Sequence, residues 1–571
     1  MIEKKWKYRS SNSTSSAADN ISRKLNIPPV IASILLNRGI NENDIPSFLS
    51  KSMKNVHNPL LFNDMKKAVN RILQAVENKE KITIYGDYDV DGITSTTLML
   101  DFLTSIGADV SFYIPDRRDE GYGINIKAVN RFIKQGIKLM ISVDCGITAL
   151  GEVSFAKLLG MDVIVTDHHT CKERLPEDAC AIINPKTPGS EYPFDGLAGV
   201  GVAFKLVLAL AMALKMNTTQ CFMKYADIAA IGTIADVVPL TDENRIIVDR
   251  GIKAMRSSMR PGVAALFKAA GAQLNTLSAD SIAFTLAPRL NAAGRLGAAA
   301  TGVELLMASD TEEAAKIAEK LDCENTERRL TEQKIYDEAL SLIAEDINFE
   351  KKKVIVLAKK GWHQGVIGIV ASRICELFYR PCILISLDEN GEGKGSGRSI
   401  PSFDLFDALS QCEDKLNEFG GHSAAAGLGI DEADIEEFSR RINKYADGRL
   451  SVSNMIPELG IDCRVSAKDV SVESAKLLET LEPFGMGNEK PIFSLSDSRI
   501  AAISRVGIDG RHLRLKLQND GKYINCIGFN FGDLCDTMHE GDSADVAFYM
   551  ETNNYQGYEN VQLNIKDIKR R

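Results

Sequence analysis

Short apolar runs alternate with helix-length segments between about residue 81 and residue 185. The runs are rich in β-branched residues, which is typical of strands that are buried on both faces of a parallel sheet. Because helix-length segments separate the runs, the pattern predicts a doubly wound α/β domain. The predicted strands are Ile82–Tyr85, Val110–Ile114, Leu139–Val143, Val163–Val165 and Ala181–Ile183.

The rest of the chain shows different patterns, which divide it into further parts. A polar, helical lead-in comes first, and a later stretch rich in Glu, Ala, Lys and Leu predicts a long connecting helix. A second α/β unit begins at Val354. Short alternating strands with turns at Asp509-Gly510 and Asn519–Gly521 then predict a small β-barrel. The predicted parts are residues 1–75, 76–310, 311–346, 347–450 and 455–571.

Composition and charge refine this picture. With 44% hydrophobic and 25% charged residues, the chain is typical of a water-soluble globular protein. The most apolar stretch, Leu197–Leu214, contains Lys205, so we expect a buried helix and not a membrane span. Eleven cysteines without a C-x-x-C pair, and an N-terminus without the apolar core of a signal peptide, favour a reducing cytoplasm. The net charge of −9 provides no global attraction for nucleic acid, so any such binding depends on local basic clusters.

Acidic residues and histidines follow three of the predicted strands. Since the carboxyl ends of parallel strands meet at one edge of a sheet, we expect these side chains to lie in one crevice. A single aspartate at a strand end is most often a helix N-cap, but caps do not explain D-x-D-x-D and D-H-H in one domain. A further candidate, Asp236, lies in another apolar run. The strand-end residues are Asp87, Asp89 and Asp91, then Asp144, and then Asp167, His168 and His169.

This set of side chains indicates metal chemistry. Carboxylate oxygens with imidazole suit Mn²⁺ or Mg²⁺, and imidazole favours Mn²⁺. Five or more ligands exceed the needs of one ion, so we expect two ions about 3.5–4 Å apart, the usual arrangement for phosphoryl hydrolysis. Nucleotide binding through a G-x-x-x-x-G-K-[ST] loop is excluded, because the chain contains no such motif.

The motifs D-x-D-x-D-G, D-C-G and D-H-H, in this order over about residues 80–240, resemble the DHH phosphoesterase superfamily. The segment Gly420–Gly427 resembles the substrate-binding (DHHA1) domain of that superfamily. Further stretches resemble the RecJ family, including one at the start of its OB domain, so that the predicted β-barrel is expected to be an OB fold. These stretches are Glu120–Gly123, Ala287–Arg295, Trp362–Gly368, Gly395–Ser399 and Leu481–Asn488.

The resemblance implies roles for the strand-end residues. Asp89 and Asp144 would hold one ion, and Asp144 would bridge to a second ion that Asp91, His168 and Asp236 complete. Asp87 would be a further metal ligand beside them, and His169 would lie towards the scissile phosphate. The inactive relatives in the superfamily lose several of these ligands, and none is lost in this chain, which favours catalysis.

Substrate-binding residues are predicted from arginines and from small neighbours that would let a nucleic-acid backbone approach. In the Gly393–Ser399 segment, glycine amides could cradle a terminal phosphate. Arg328 and Arg329 on the long helix are interpreted as facing water. In the tail, Tyr523, Tyr555 and Tyr558 are interpreted as ordinary barrel packing, beside basic residues that could bind a single strand. The predicted substrate-binding set is Arg289, Asn291, Arg295, Ser396, Arg398 and His422.

The RecJ resemblance implies a metal-dependent 5′-to-3′ exonuclease that degrades single-stranded DNA to 5′-mononucleotides in DNA repair and recombination. It also implies a cytoplasmic monomer, with a helicase and a single-strand-binding protein as candidate partners. Two alternatives stay open: an oligoribonuclease or cyclic-dinucleotide phosphodiesterase of the DHH superfamily, and a non-catalytic DNA-binding replication factor. Because the tail carries no catalytic set, we expect hydrolysis of short oligonucleotides to survive its removal.

Overall fold

The computed structural model describes residues 3–9, 15–116, 120–121, 123–272, 277–296, 299–555 and 558–571, without the side chains of residues 295, 296, 554 and 555. The chain forms two compact units. One consists of residues 1–8 and 325–461, and the other of residues 9–324 and 462–571. The elements of the N-terminal region are β1 (Lys5–Tyr8), α1 (Ser15–Leu25), α2 (Pro29–Asn37), α3 (Ile45–Ser50) and α4 (Met65–Glu77).

A parallel five-stranded sheet forms the centre of the first α/β domain, as predicted. Apolar side chains pack against both of its faces, because successive residues of a strand point to opposite sides. The elements are β2 (Lys81–Gly86), α5 (Val90–Ser105), β3 (Asp109–Tyr113), α6 (Ile126–Lys134), β4 (Ile137–Val143), α7 (Leu150–Leu158), β5 (Asp162–Thr166), β6 (Ala181–Ile183), α8 (Gly199–Ala213), α9 (Thr218–Ala235), α10 (Asp242–Ser257), α11 (Pro261–Ala269), α12 (Ala279–Ser281), α13 (Ala287–Leu296) and α14 (Ala299–Met307).

The apolar segment around α8 is a buried helix, as predicted. Its Lys205 is fully buried, forms an ion pair with the equally buried Glu243, and donates to the carbonyl of His57 at 2.8 Å. These partners compensate for the loss of hydration, which explains how a lysine is tolerated in an apolar helix. Among the described helices, none combines the length and the hydropathy needed to cross a membrane.

The predicted connecting helix is α15 (Thr311–Glu345), and the division between the two compact units falls within it, after Glu324. The second α/β unit follows and has a mixed sheet in the order β10-β11-β9-β8-β7. Only β7 and β8 are parallel in this sheet; the other pairs are antiparallel. The elements are β7 (Ile355–Lys360), α16 (Gln364–Phe378), β8 (Cys382–Leu387), β9 (Glu392–Arg398), α17 (Leu405–Ser410), β10 (Glu418–Gly421), β11 (Ala425–Asp431), α18 (Ile435–Asp447) and β12 (Glu458–Ile461).

The tail is a closed barrel in which β14 pairs with both β15 and β17, and β16 pairs with β18. The predicted turn at Asn519–Gly521 is confirmed, because Asp520 and Gly521 both have positive φ, as a two-residue hairpin turn requires. The elements are β13 (Cys463–Arg464), α19 (Val472–Leu478), β14 (Phe493–Val506), β15 (His512–Asn519), β16 (Lys522–Gly528), β17 (Ser543–Tyr555) and β18 (Tyr558–Arg570).

Helices α1 to α3 share one apolar core with this barrel. Ile21, Ile31 and Leu35 are buried in the same cluster as Leu515 and Phe548. An isolated small barrel of this kind buries little apolar surface, and the helices add to it. The N-terminal helices and the C-terminal domain are therefore parts of one folded body.

Candidate metal centre

Three neighbouring strands bring carboxylates to one edge of the first sheet. Asp87 follows β2, Asp144 follows β4 and Asp167 follows β5, and these strands are adjacent in the sheet order β3-β2-β4-β5-β6. The chain leaves β2 towards β3 on one side and passes from β4 to β5 on the other. The carboxylates therefore lie at the point where the strand order reverses, which is where open α/β sheets bind ligands.

The structure brings all the predicted metal ligands together. Ligand atoms of Asp87, Asp89 and Asp144 lie within 4.8 Å of one another, and so do those of Asp91, His168 and Asp236. Asp144 connects the two groups, since its Oδ1 lies 3.2 Å from His168 Nε2. Asp236 is contributed by the C-terminal end of α9, and its Oδ2 lies 3.6 Å from the same nitrogen.

The donor atoms fit divalent cations. Asp144 Oδ1, Asp236 Oδ2 and His168 Nε2 are buried, and within the described part of the chain they have no hydrogen-bond partner. Buried polar atoms are nearly always hydrogen-bonded, so a group of such atoms facing one another needs an explanation. Carboxylate oxygens and one imidazole are suitable ligands for Mn²⁺ or Mg²⁺.

The pKa values of the cluster reflect burial and mutual repulsion. Burial and the neighbouring carboxylates raise the pKa of Asp91 and of Asp144 well above the usual range. Burial, with Asp89 adding to it, raises the pKa of Asp236 to about 7, while Lys186 acts in the opposite direction. Burial lowers the pKa of His168 to about 4, so its imidazole is neutral and able to bind metal at physiological pH.

Two further features fix the ligands in place. Both oxygens of Asp91 accept hydrogen bonds at the start of α8, from the backbone N–H of Gly199 at 2.6 Å and of Val200 at 2.7 Å. Asp144 has a left-handed backbone conformation (φ +60°). A Cβ on Gly199 would lie 2.5 Å from Asp144 Oδ1, so only glycine lets α8 approach this carboxylate. The geometry of the ligands is therefore set by the packing of α8.

Asp167 is not among the grouped ligands and has a different role. Its Oδ1 accepts from His169 Nδ1 at 2.7 Å and from the backbone N–H of His168 at 2.7 Å, and its Oδ2 accepts from Ile147 N–H. Burial opposes the charged form of His169, but the hydrogen bond to Asp167 and the negative charges of Asp167, Asp91 and Asp89 together outweigh burial and raise the pKa of His169. The side chain of His169 is 45% exposed, so an imidazole with a raised pKa lies at the surface of the centre.

Sequence reasoning missed Lys186, which follows the fifth strand of the sheet. The side chain of Asn184 donates to the carbonyl of His169 at 3.0 Å, and the backbone N–H of Lys186 donates to Asn184 Oδ1 at 2.8 Å. The exposed ammonium acts electrostatically on both Asp236 and His168. The aspartates were identified because they follow predicted strands, and the same criterion applied to β6 would have identified Lys186.

We expected the small residues of the Ala287–Arg295 stretch to leave space for a nucleic-acid backbone, and this expectation is wrong. They lie in α13, where Ala292 and Ala293 are fully buried, and a Cβ on Gly294 would lie 2.1 Å from the carbonyl oxygen of Tyr88. Asn291 Oδ1 accepts from the N–H of Val90 at 3.2 Å. The small residues thus let α13 pack against the segment that carries Asp89 and Asp91.

The predicted arginines have partners within the chain. Arg289 donates to Asp322 at 2.8 Å and to the carbonyl of Thr285 at 2.8 Å.

Arg328 was expected to face water. Its side chain is only 11% exposed and forms an ion pair with Glu332, so that expectation is wrong. The side chain of Arg295 lies outside the described residues, as does Tyr122 of the Glu120–Gly123 stretch.

The glycine segment of the second unit is also corrected. Strand β9 pairs with β8 on one side and β11 on the other, so its backbone is used in the sheet and its amides do not cradle a phosphate. Its glycines allow close packing: a Cβ on Gly395 would lie 2.7 Å from Leu428. Ser396 and Arg398 lie on the opposite face, where Arg398 Nη1 donates to Ser396 Oγ at 3.2 Å. His422 is exposed in the turn between β10 and β11.

Two tyrosines of the barrel differ from the sequence interpretation. Tyr523 is 60% exposed and Tyr558 is 76% exposed, so they do not pack in the barrel core. Lys516 lies 4.9 Å from the centre of the Tyr523 ring, which places a cation beside an exposed aromatic face. The side chain of Tyr555 lies outside the described residues.

Three family models match separate parts of the chain. The DHH family N-terminal domain matches residues 81–233, the DHHA1 domain matches residues 351–448, and the RecJ OB domain matches residues 461–567. The single-stranded-DNA-specific exonuclease RecJ of Bacillus subtilis (strain 168) is 40% identical over 569 residues, which cover 99% of this chain and 71% of that protein.

Two solved structures of RecJ from Thermus thermophilus are similar over 99% of this chain. The complex with Mn²⁺ has a TM-score of 0.84 at 30% sequence identity, with 79% of that chain covered. The complex with Mg²⁺ has a TM-score of 0.79 at 29% identity, with 78% of that chain covered. The chain belongs to the RecJ family.

Proposed function

We propose that the chain is a metal-dependent exonuclease that hydrolyses single-stranded DNA to 5′-mononucleotides from the 5′ end, in DNA repair and recombination. The observation that carries the proposal is the convergence of Asp89, Asp91, Asp144, His168 and Asp236 into overlapping groups suited to divalent cations. The names of the RecJ relatives support single-stranded DNA as the substrate and hydrolysis as the reaction. The direction and the products are predictions from the family resemblance.

The protein prepares its ligands before substrate binds. Mn²⁺ or Mg²⁺ in the centre supplies an activated water and neutralises charge on the scissile phosphate. The neutral imidazole of His168 offers Nε2 as a ligand, and the hydrogen bonds from α8 prevent Asp91 from turning away. Ligands held in this way need little rearrangement when the ions and substrate bind.

His169 is the side chain that we expect to contact the phosphate. Nδ1 of His169 is hydrogen-bonded to Asp167. This bond and the nearby negative charges raise the pKa of His169 although burial acts in the opposite direction, so the imidazolium persists to higher pH. We expect Nε2 to donate a hydrogen bond to a non-bridging oxygen of the scissile phosphate, where charge increases during hydrolysis. The exposed Lys186 adds positive charge that acts on Asp236 and His168.

The proposed function is tested by digesting 5′-labelled and 3′-labelled single strands, with duplex DNA, RNA and a cyclic dinucleotide as controls. We expect labelled mononucleotide to appear first from the 5′-labelled strand, and Mn²⁺ to support turnover at least as well as Mg²⁺, because imidazole favours Mn²⁺. Preferred cleavage of RNA or cyclic dinucleotides would favour the other enzymes of the superfamily. Binding without cleavage would favour a replication factor, and full activity in excess chelator would contradict the metal mechanism.

Arg398→Ala is expected to reduce the preference for a 5′-phosphate by about ten- to a hundredfold, since a charge-assisted contact contributes roughly 1.5–3 kcal/mol. A terminal phosphate carries more charge than an internal diester, so a fixed cation beside Ser396 favours the strand end. The measurement is kcat/KM for one oligonucleotide with a 5′-phosphate or a 5′-hydroxyl. The matched control is Lys394→Ala, which removes a cation from the same strand, where it pairs with Glu418.

An equal loss on both oligonucleotides would show that Arg398 contacts the DNA backbone generally or supports the fold.

By the family resemblance, we propose that the protein acts as a monomer, with a helicase that supplies single strands and a single-strand-binding protein as partners. Sedimentation of the purified chain, alone and with each candidate, tests these assignments.

A further inference from the structure

The segment that follows the metal ligand Asp236 is held in an unusual conformation. We call residues 236–241, between α9 and α10, the ligand loop. Val237 has φ +59°, which is a rare conformation for a β-branched residue. Such a conformation persists only where the surrounding structure determines it. The ligand loop is therefore clamped by its neighbours.

One neighbour of the ligand loop comes from the C-terminal domain. We call residues 481–488, which precede β14, the junction loop. The N–H of Leu240 donates to the carbonyl of Met486 at 2.7 Å. A Cβ on Gly487, whose φ is +71°, would lie 3.1 Å from Pro239 Cβ, and a Cβ on Gly485 would lie 2.6 Å from Leu240 Cδ1. A Cβ at either glycine would therefore require its neighbour in the ligand loop to shift.

The junction loop is itself rigid. Gly485 and Asn488 exchange backbone hydrogen bonds at 3.0 and 3.1 Å, which close a tight turn around Met486-Gly487. The buried side chain of Asn488 donates to the carbonyls of Leu481 and Pro483, both at 2.8 Å. A loop whose backbone groups are satisfied in this way can transmit a displacement instead of absorbing it.

A second anchor lies directly after the ligand loop. Arg245 of α10 is only 2% exposed, and it donates to the carbonyl of Leu481 at 2.8 Å and to that of Phe48 at 3.1 Å. Its guanidinium thus ties the start of α10 to the junction loop and to the N-terminal helices. Both ends of the contact are fixed, one by Asn488 and the other by Arg245.

We infer that the junction loop is a positioning element of the metal centre: it holds the ligand loop so that Asp236 meets His168. The inference rests on the proposed function, because it assigns Asp236 to metal binding. A displaced Pro239 would move the ligand loop, and with it Asp236 Oδ2, which lies 3.6 Å from His168 Nε2. The C-terminal domain, beyond any binding of single strands, then helps to build the centre that cuts them.

The test compares glycine substitutions at two left-handed positions. Gly487→Ala and Gly487→Leu strain the backbone and also press on Pro239. The matched controls are Gly107→Ala and Gly107→Leu, because Gly107 has a similar φ of +83° and nothing within 4 Å of its Cβ position. Mn²⁺ binding is measured on the intact 571-residue chain by the electron paramagnetic resonance signal of the free ion. Thermal unfolding and turnover at increasing Mn²⁺ are measured in parallel.

We expect Gly487→Ala to weaken Mn²⁺ binding by about tenfold, within the range for groups that orient metal ligands. Gly487→Leu should weaken it further, and excess Mn²⁺ should restore much of the turnover. The Gly107 variants should lose similar thermal stability but bind Mn²⁺ as the wild type does. Mn²⁺ binding by Gly487→Ala that equals binding by Gly107→Ala would overturn the inference. A wild-type protein that binds Mn²⁺ but does not cleave single strands would contradict the proposed function alone.

Discussion

Asp144→Asn is expected to lower the turnover of single-stranded DNA by at least about a thousandfold, because the metal centre supplies several kcal/mol to the reaction. Asp144 belongs to one group of potential ligands and its Oδ1 lies 3.2 Å from His168 of the other, so the loss of its charge weakens both. Binding of a single strand should stay within about tenfold of the wild type, because phosphate contacts elsewhere provide that affinity. Turnover and binding are measured on the same preparation.

Asparagine is the informative replacement because the backbone of Asp144 is left-handed, and asparagine tolerates this conformation. Alanine would add backbone strain to the loss of charge. The matched control is Asp497→Asn, the same substitution at a left-handed position on a barrel strand. Near-normal turnover of Asp144→Asn would mean that this carboxylate is structural.

A chain that ends at residue 461 is expected to lose cooperative folding of the catalytic unit and to hydrolyse short and long strands equally poorly. This reverses the expectation from sequence that the tail is a dispensable binding module. Without the tail, the guanidinium of Arg245 loses the carbonyls of Leu481 and Pro483. An unsatisfied buried group costs about 1–3 kcal/mol, and a charged group costs more. The apolar faces of α1 to α3 would also be exposed to water.

The measurements are thermal unfolding by circular dichroism and hydrolysis of a short oligonucleotide. Arg245→Met in the untruncated chain is a milder version of the same change, since it removes the charge and keeps much of the packing volume. We expect it to lower the unfolding temperature without abolishing folding. If the truncated chain unfolds cooperatively and cleaves short strands at the rate of the untruncated chain, the C-terminal domain is a separable module.

The first sheet and its ligands could be predicted because each signal is local in sequence. β-Branched runs report burial on both faces, and the aspartates follow those runs directly, as at Val143 and Asp144. Sheet topology then converts neighbouring strand ends into neighbouring side chains. Prediction of the ion-binding cluster therefore required no knowledge of side-chain contacts between distant segments.

The role of the small residues could not be predicted in the same way. Glycines in Gly393–Ser399 and in Ala287–Arg295 show that something approaches closely, but the sequence does not say what. In one case it is the side chain of Leu428, and in the other it is the carbonyl of Tyr88. An amphipathic helix likewise shows that it has an apolar face without identifying its partner, so the packing of α1 to α3 on the barrel was missed.

The core that joins α1 to α3 with the barrel has a consequence for synthesis on the ribosome. Residues near 21–35 need partners near 515–548, and at 5–20 residues per second those partners emerge roughly half a minute to two minutes later. During that interval the apolar faces of the first helices lack their native cover. The nascent chain is thus expected to depend on chaperones that bind its earliest helices, and slow codons late in the message should extend that dependence.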